Sequence, residues 1–354
     1  MKKIKIVLVL LIVIIVAILM WYKLSLRHVS KKIGEKEIVI PIGTSTKQIA
    51  SILKDNKLIR NKTSFVVYAK LHKNANFKAG KYTLNGNMNV KQITEILQTG
   101  VMFDPNQISI TYLEGKTIPW LARKIADTTN NNEEDVYNLL KNEEYINSLI
   151  EKYWFITEDI KNEDIYYALE GYLFPDTYSL KGKDVKVEEI FEKMLDQMET
   201  VLNNYKAEIE SKGLTVHEIL TIASIVEAES VHDEDRKDVA SVVYNRIHLN
   251  MAIQSDVTTY YAIKVDMGER DLKLSEINSN NPYNTRGPNM NGKLPVGPIA
   301  SVSKSSIEAA INPNTTNYLF FVADKTGKVY FTRTNEEHNQ IINKLKSEGL
   351  WFEY

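Results

Sequence analysis

Thr215-Val-His217-Glu218-Ile-Leu220-Thr-Ile-Ala-Ser-Ile-Val-Glu227-Ala-Glu229-Ser230 is the stretch on which the reading of this chain turns. Thr215 with Glu218 three residues on has the pattern of a capping box, so a helix is predicted to begin here. From Ile219 to Val226 only Thr221 and Ser224 are polar, and apolar groups therefore surround most of the helix. Such a helix is buried, not laid on a surface. Glu227 follows directly on Ile225 and Val226. A carboxyl that leaves an apolar helix for a cleft is poorly solvated, and desolvation disfavours its charged form. That placement suits a group that must hold a proton in order to donate it. Glu229 sits roughly 200° further round the helix and is read as solvated.

A second helix is predicted from about Arg236 to Leu249, with Val239, Val242, Val243 and Ile247 on one face. Upstream, one acidic helical stretch is expected over Asn131–Lys152 and another amphipathic one over Val187–Ser211; both read as packing faces. Nearer the amino terminus, Glu37–Gly43 reads as a strand and turn, followed by a helix capped within Thr44-Ser45-Thr46 that buries Ile49, Ala50, Ile52 and Leu53. A helix over Ser64–Leu71, a strand over Gly80–Leu84 and a helix over Val90–Leu97 complete that segment. Its opening recurs. Ile38-Val-Ile-Pro-Ile-Gly43 leading to Ala50 parallels Ile110-Thr-Tyr-Leu-Glu-Gly115 leading to Ala122, each a strand, a glycine turn and a helix.

Composition narrows the chemistry. The 354 residues carry a net charge of −1, with 44% hydrophobic and 25% charged residues, so no basic field points to nucleic acid. There is no cysteine, which removes disulfides, thiolate metal sites and cysteine nucleophiles. G-x-S-x-G, the Walker loop, G-x-G-x-x-G and H-E-x-x-H are all absent. The six histidines show no metal-ligand spacing, and neither a metal nor a cofactor is expected. His338 alone is worth following, although a structural role is its commoner explanation.

Every residue from Ile6 to Tyr22 is apolar or aromatic. At ~1.5 Å rise per residue, this run spans roughly 25 Å, enough for a short transmembrane helix. Trp21 and Tyr22 suit the headgroup interface. A signal peptide is the competing reading, but Ala17 is the only small residue in the run and no small-x-small site follows, so an uncleaved anchor is expected. Lys2, Lys3 and Lys5 before the run are matched by Lys23, Arg27, Lys31 and Lys32 after it. Charge alone leaves the orientation open.

Leu220–Glu229 resembles the active-site helix of the endolytic murein transglycosylase family (the MltG/YceG-like proteins). Val239-Ala-Ser-Val-Val-Tyr-Asn245-Arg246 is similar to that family's next helix. Leu169-Glu170-Gly-Tyr-Leu-Phe-Pro175-Asp176-Thr-Tyr178, Ile253-Gln254-Ser255-Asp256, Pro282-Tyr283-Asn284-Thr285, Leu294–Ile299, Tyr318–Ala323 and Phe331–Asn339 follow the family in order. The match covers nearly the whole chain. It implies that Glu227 is the catalytic residue, that the substrate is the peptidoglycan glycan strand, and that the domain lies outside the cytoplasm. It also implies a role in ending nascent strands beside peptidoglycan synthases (penicillin-binding proteins). Gln254, Asp256, Tyr283, Asn284 and Thr285 are then candidates to contact the glycan, since amides, hydroxyls and aromatic faces suit sugars. The sequence departs from the family's pattern at Val257, Arg286, Val296 and Ala300–Ser303, which bears on loops and subsites but leaves the acid in place.

The expected architecture is α+β: a leader over 1–5, a transmembrane anchor over 6–22, a stalk over 23–36, a small LysM-like αβ subdomain over 37–101, and a larger mixed catalytic domain with a buried active-site helix over 102–354. Two other readings stand beside lytic transglycosylation: a lysozyme-like muramidase using the same acid, and a membrane-tethered glycan-binding scaffold without catalysis.

Overall fold

The computed structural model describes residues 2–30, 33–72, 76–99, 108–230 and 232–351, with the side chains of 2–12 and 99 left undescribed. The chain divides into two compact units, Met1–Gln107 and Ile108–Tyr354. The expected boundary at 101/102 falls outside the described residues. The architecture is mixed α+β, with three two-stranded antiparallel sheets among the described residues.

The first unit opens with α1 (Lys2–Ser25), one continuous helix through the apolar run. Its residues from Val13 to Trp21 are described, and most of their large apolar side chains are exposed. Among the described residues, no helix is long and apolar enough to cross a membrane. Much of the span expected at 6–22 falls on residues whose side chains are not described.

Next come β1 (Glu35–Ile40), α2 (Thr46–Asp55), α3 (Lys62–Leu71), β2 (Gly80–Asn85) and α4 (Val90–Thr99). β1 and β2 pair antiparallel with Ile38 opposite Tyr82. Alternation decides their faces: Ile38 and Ile40 are buried while Val39 between them is exposed. Ser45 and Gln48 form a reciprocal capping box that starts α2, and the Asn61 side chain caps α3. Ile49, Ala50, Leu53, Phe65 and Leu84 meet in one core.

The second unit contains β3 (Ile108–Thr111), α5 (Ile118–Thr128), α6 (Glu133–Leu140), α7 (Glu143–Lys152), β4 (Thr177–Leu180), α8 (Val187–Leu202) and α9 (Lys206–Lys212). It continues with α10 (Val216–Glu229), α11 (Arg236–His248), α12 (Asp256–Ile263), α13 (Leu274–Ile277), α14 (Lys304–Ile311), β5 (Phe320–Ala323), β6 (Val329–Thr332) and α15 (Asn335–Ser347). β3 pairs antiparallel with β4, placing Ile110 opposite Tyr178.

Two of the longer helices expected from sequence are each broken in two. Asn131–Lys152 splits at Lys141-Asn142, because the Asn142 side chain accepts the Tyr145 amide proton and starts a new helix. Val187–Ser211 splits at Asn203-Asn204-Tyr205, and α9 ends on Gly213 in the left-handed region.

α10 is the centre of this unit. The Thr215–Glu218 capping box forms in full, and every residue from Ile219 to Val226 is buried. The helix packs against α14, α11 and α12, so it has no solvent face along that length, as its all-round apolar sequence requires. The recurring strand-turn-helix pattern is also real. Gly43 and Gly115 both have positive φ, the helices that follow begin three residues later, and Ala50 and Ala122 are both fully buried.

Candidate active site

Glu227 lies in the last turn of α10, its side chain only 6% exposed. The apolar surround expected for it is corrected here: the carboxylate is met by a guanidinium and a serine. Arg236, at the start of α11, places Nη1 2.8 Å from Glu227 Oε2. The Ser303 amide donates to the same oxygen at 2.9 Å, and its hydroxyl donates at 2.5 Å. All three donors converge on Oε2, and among the described residues none reaches Oε1. Arg236 is itself held by Asp233 (Nε to Oδ1, 2.8 Å) and by the Ser306 hydroxyl. The Arg236 and Ser305 donors keep the Asp233 carboxyl below its ordinary range. Ser303 is also the cap of α14, accepting the Ser306 amide proton, so one side chain starts that helix and grips Glu227.

The turn over residues 113–116 forms the neighbouring wall. Ser301 ties it down through its amide to Lys116 O (2.9 Å), its carbonyl to Gly115 N (3.0 Å), and its hydroxyl to Leu113 O (2.9 Å). At φ +68, Gly115 adopts a backbone conformation that side-chain-bearing residues avoid. A Cβ built there would lie 3.9 Å from Glu227 Cγ. The second copy of the repeated turn thus brings chain against the acid. Burial first, then the Glu227 charge, lift the neighbouring Glu114 carboxyl above its ordinary value, while Arg236 opposes the rise. On the other side, the Ser224 hydroxyl accepts the Ile299 amide proton and fixes the 294–303 loop to α10.

Beside Gly115, Ala228, Ile299 and Ala300 opens a groove of about 580 Å³. Its walls carry Trp120, Tyr166, Tyr167, Tyr260 and Tyr261, with Lys116, Arg123 and Lys264 among them. Behind these rings lies Glu170, 1% exposed, which takes the Ile118 amide proton at the start of α5 and the Tyr261 hydroxyl proton at 3.0 Å. Burial pushes its carboxyl up to about 8. Glu170, which the sequence offered only as part of a family-like motif, caps a helix and braces a groove tyrosine.

The five residues expected at the glycan occupy two other settings. Tyr283, Asn284 and Thr285 have no exposed surface. Tyr283 packs its ring 4.8 Å from those of Tyr166 and Tyr261, backing the groove wall. Asn284 donates to the Ile277 and Ser279 carbonyls and accepts from Thr259. Thr285 bonds Thr258 and the Ser255 amide. Gln254 and Asp256 line a separate cavity of about 300 Å³ with Glu229, Arg246, Arg286 and His338. Asp256 pairs with Arg286.

Glu229, expected to be solvated, is instead half-buried and accepts the Ser255 hydroxyl proton at 2.6 Å. Burial raises its carboxyl, because a loop 26 residues further on covers it. His338 stacks on Phe320 and is lowered by burial. His217 bridges the Tyr172 hydroxyl and the Val296 carbonyl. Among the described residues, no cluster of three or more His, Asp or Glu is placed to hold a metal ion.

The residues that sequence reasoning missed are Arg236, Ser303, Glu114 and the groove aromatics. Ser303 had been noticed only as part of a departure from the family pattern. Arg236 had a legible signal, a cation opening the helix after the acid.

The profile of the YceG-like family matches residues 38–344. An endolytic murein transglycosylase of Bacillus subtilis is 39% identical over 311 residues, covering 88% of this chain and 84% of that protein. Another from Streptococcus pneumoniae is 34% identical over 319 residues, and the match spans 86% of this chain but 57% of that longer protein. The crystal structure of a yceG-like protein from Listeria monocytogenes superimposes with a TM-score of 0.62 at 36% identity, covering 88% of this chain and all of that one. With the family profile matching most of its length and relatives of this identity, the chain belongs to the YceG-like family.

Proposed function

We propose that this protein is a peptidoglycan lytic transglycosylase with Glu227 as its single acid and base. One observation carries the reading: a carboxylate with Oε2 fully engaged, and with no partner on Oε1 among the described residues, lies against Gly115 and next in the chain to Ala228, two residues that line an aromatic-walled groove. The relatives' shared name, endolytic murein transglycosylase, supports it.

Ordinary glycosidases divide the work between two carboxylates. Here Glu227 donates its proton to the oxygen between N-acetylmuramic acid and N-acetylglucosamine, and the C1–O bond breaks. The acetamido group of the muramic sugar shelters the positive charge at C1. Glu227, now ionised, takes the proton of that sugar's C6 hydroxyl as the oxygen bonds to C1. The product ends in a 1,6-anhydro ring, and no water is consumed. A nucleophile within the substrate gains from proximity, with effective molarities of ~10⁵ M or more in favourable cases. Arg236 and Ser303 hold the carboxylate in one rotamer, so the second proton transfer needs no reorientation.

The apolar run over 6–22 supports an uncleaved anchor, which would hold the second unit at the outer membrane face beside nascent strands and the synthases that make them. The strand-helix-helix-strand order over 35–85 supports the LysM-like assignment of the first unit.

Incubation of the full-length chain with nascent peptidoglycan, followed by mass spectrometry, tests the reaction. Anhydro ends, lighter by one water, are expected, and Glu227→Gln should lower their formation by about 10²–10⁴-fold with the fold retained. Hydrated reducing ends would identify a hydrolase instead. Anhydro ends formed by the variant at the parent rate would remove Glu227 from the chemistry.

A further inference from the structure

The groove beside Glu227 continues past Tyr167. A second cavity, about 880 Å³, shares Tyr166, Tyr167 and Lys264 with it as a common wall. The second cavity touches none of the residues around Glu227. Its far side is built by α6, α7 and the segment 160–168, through residues such as Tyr137, Asn138 and Asn147. Aromatic faces run from one cavity into the other. Tyr261 stacks on Tyr166 (5.8 Å between ring centroids), and Tyr167 stacks on Tyr137 (5.9 Å).

The junction is rigid. Tyr166 donates to the Ala262 carbonyl at 2.8 Å and accepts from Asn281 at 2.6 Å. Lys264 ends α12 at φ +56, a left-handed conformation that costs a non-glycine residue of order 1 kcal/mol or more. Its Nζ rests 4.2 Å from the Tyr166 ring centroid and 5.9 Å from that of Tyr167. An unusual backbone conformation thus holds a cation over the two rings that both cavities share.

We propose that the second cavity is an extended subsite for the same glycan strand, taking saccharide units that lie beyond those held next to Glu227. The proposal rests on the transglycosylase reading above. Continuity of the wall argues for one polymer through both cavities. The lining argues for sugar: tyrosine faces for pyranose rings and carboxamides for hydroxyl and acetamido groups. Lys141, Lys161 and Lys264 are nearly offset by Glu134 and Glu143 around the same cavity, so no strong field favours an acidic peptide stem.

Titration calorimetry on the full-length chain carrying Glu227→Gln, which binds strands without consuming them, tests this directly. Peptide-free strands of two sugars and of eight are compared. The longer strand should bind at least about tenfold more tightly, since it alone reaches both cavities. Adding Tyr137→Ala should remove most of that gain. Asn138→Trp, at an exposed position that leaves the core intact, should block the cavity and do the same.

Equal affinity for both lengths would overturn the proposal, as would a gain that survives both variants. So would a length gain seen only when peptide stems are attached, because the cavity would then serve the peptide. If the parent chain made no anhydro ends while the length preference persisted, the reaction would fall and the subsite would stand.

Discussion

Glu170→Gln separates what the fold takes from this carboxyl's shape from what it suffers from its charge. Glu170 is 1% exposed, and burial lifts it from 4.5 to about 8 against the opposing pull of the Ile118 amide and the Tyr261 hydroxyl. Below pH 4.5 the folded and unfolded chains both hold this proton, and the full stability is present. Between 4.5 and about 8 the unfolded chain releases it while the folded chain keeps it. Stability therefore falls as pH rises, by about 1.4 kcal/mol per pH unit from this group alone, and levels off above its folded value. The full swing is of order 5 kcal/mol at most.

Glutamine keeps the acceptor for the Ile118 amide and cannot ionise. The variant should match the parent near pH 5 and exceed it by several kcal/mol near pH 8, on the same linkage. Denaturant unfolding followed by tryptophan fluorescence across that range measures the difference directly. Glu170→Ala is the control: it cannot ionise either but strands the Ile118 amide, so it should lie about 1–3 kcal/mol below Glu170→Gln at every pH. A difference between parent and Glu170→Gln that stays flat with pH would refute the assignment of a neutral buried acid here.

Arg236→Ala should destabilise the fold by about 3 kcal/mol or more, because it leaves the buried Glu227 carboxylate without its guanidinium. In the Glu227→Gln background the same change should cost clearly less, and a double-mutant cycle of denaturation curves reads the coupling. Gly171→Ala should cost about 2–3 kcal/mol, since Gly171 has φ +78 and a Cβ there would lie 2.4 Å from Pro298 Cβ. Its melting temperature against that of the parent checks this.

The parts of this structure legible in the sequence are those that local patterns decide. α10 was readable because its cap and its continuous apolar run both act within one helix, and the structure forms both. The paired strands of the first unit were readable from alternation, and the two glycine turns from their repeated spacing. Breaks within long helical stretches were missed because Asn142 can cap a helix or sit in one, and only the packing of α6 against α7 decides.

The site was legible as one residue and not as a constellation, for a physical reason. A helix that is apolar all round announces that it is buried, but not which chain meets its final turn. The partners of Glu227 come from positions 236 and 303, and the turn beside it from 115, places that no periodicity links. The same limit explains Glu229, which helical geometry alone sends to solvent until the Ser255 loop closes over it. Tyr283, Asn284 and Thr285 have groups that suit sugars, yet the same amide and hydroxyls hold a buried loop as readily. Residue chemistry narrows what a side chain can contact; only the long-range fold decides whether its partner is substrate or backbone. At Glu227 that fold does something the helix alone could not: it commits one carboxylate oxygen to donors from positions 236 and 303, while among the described residues none reaches the other.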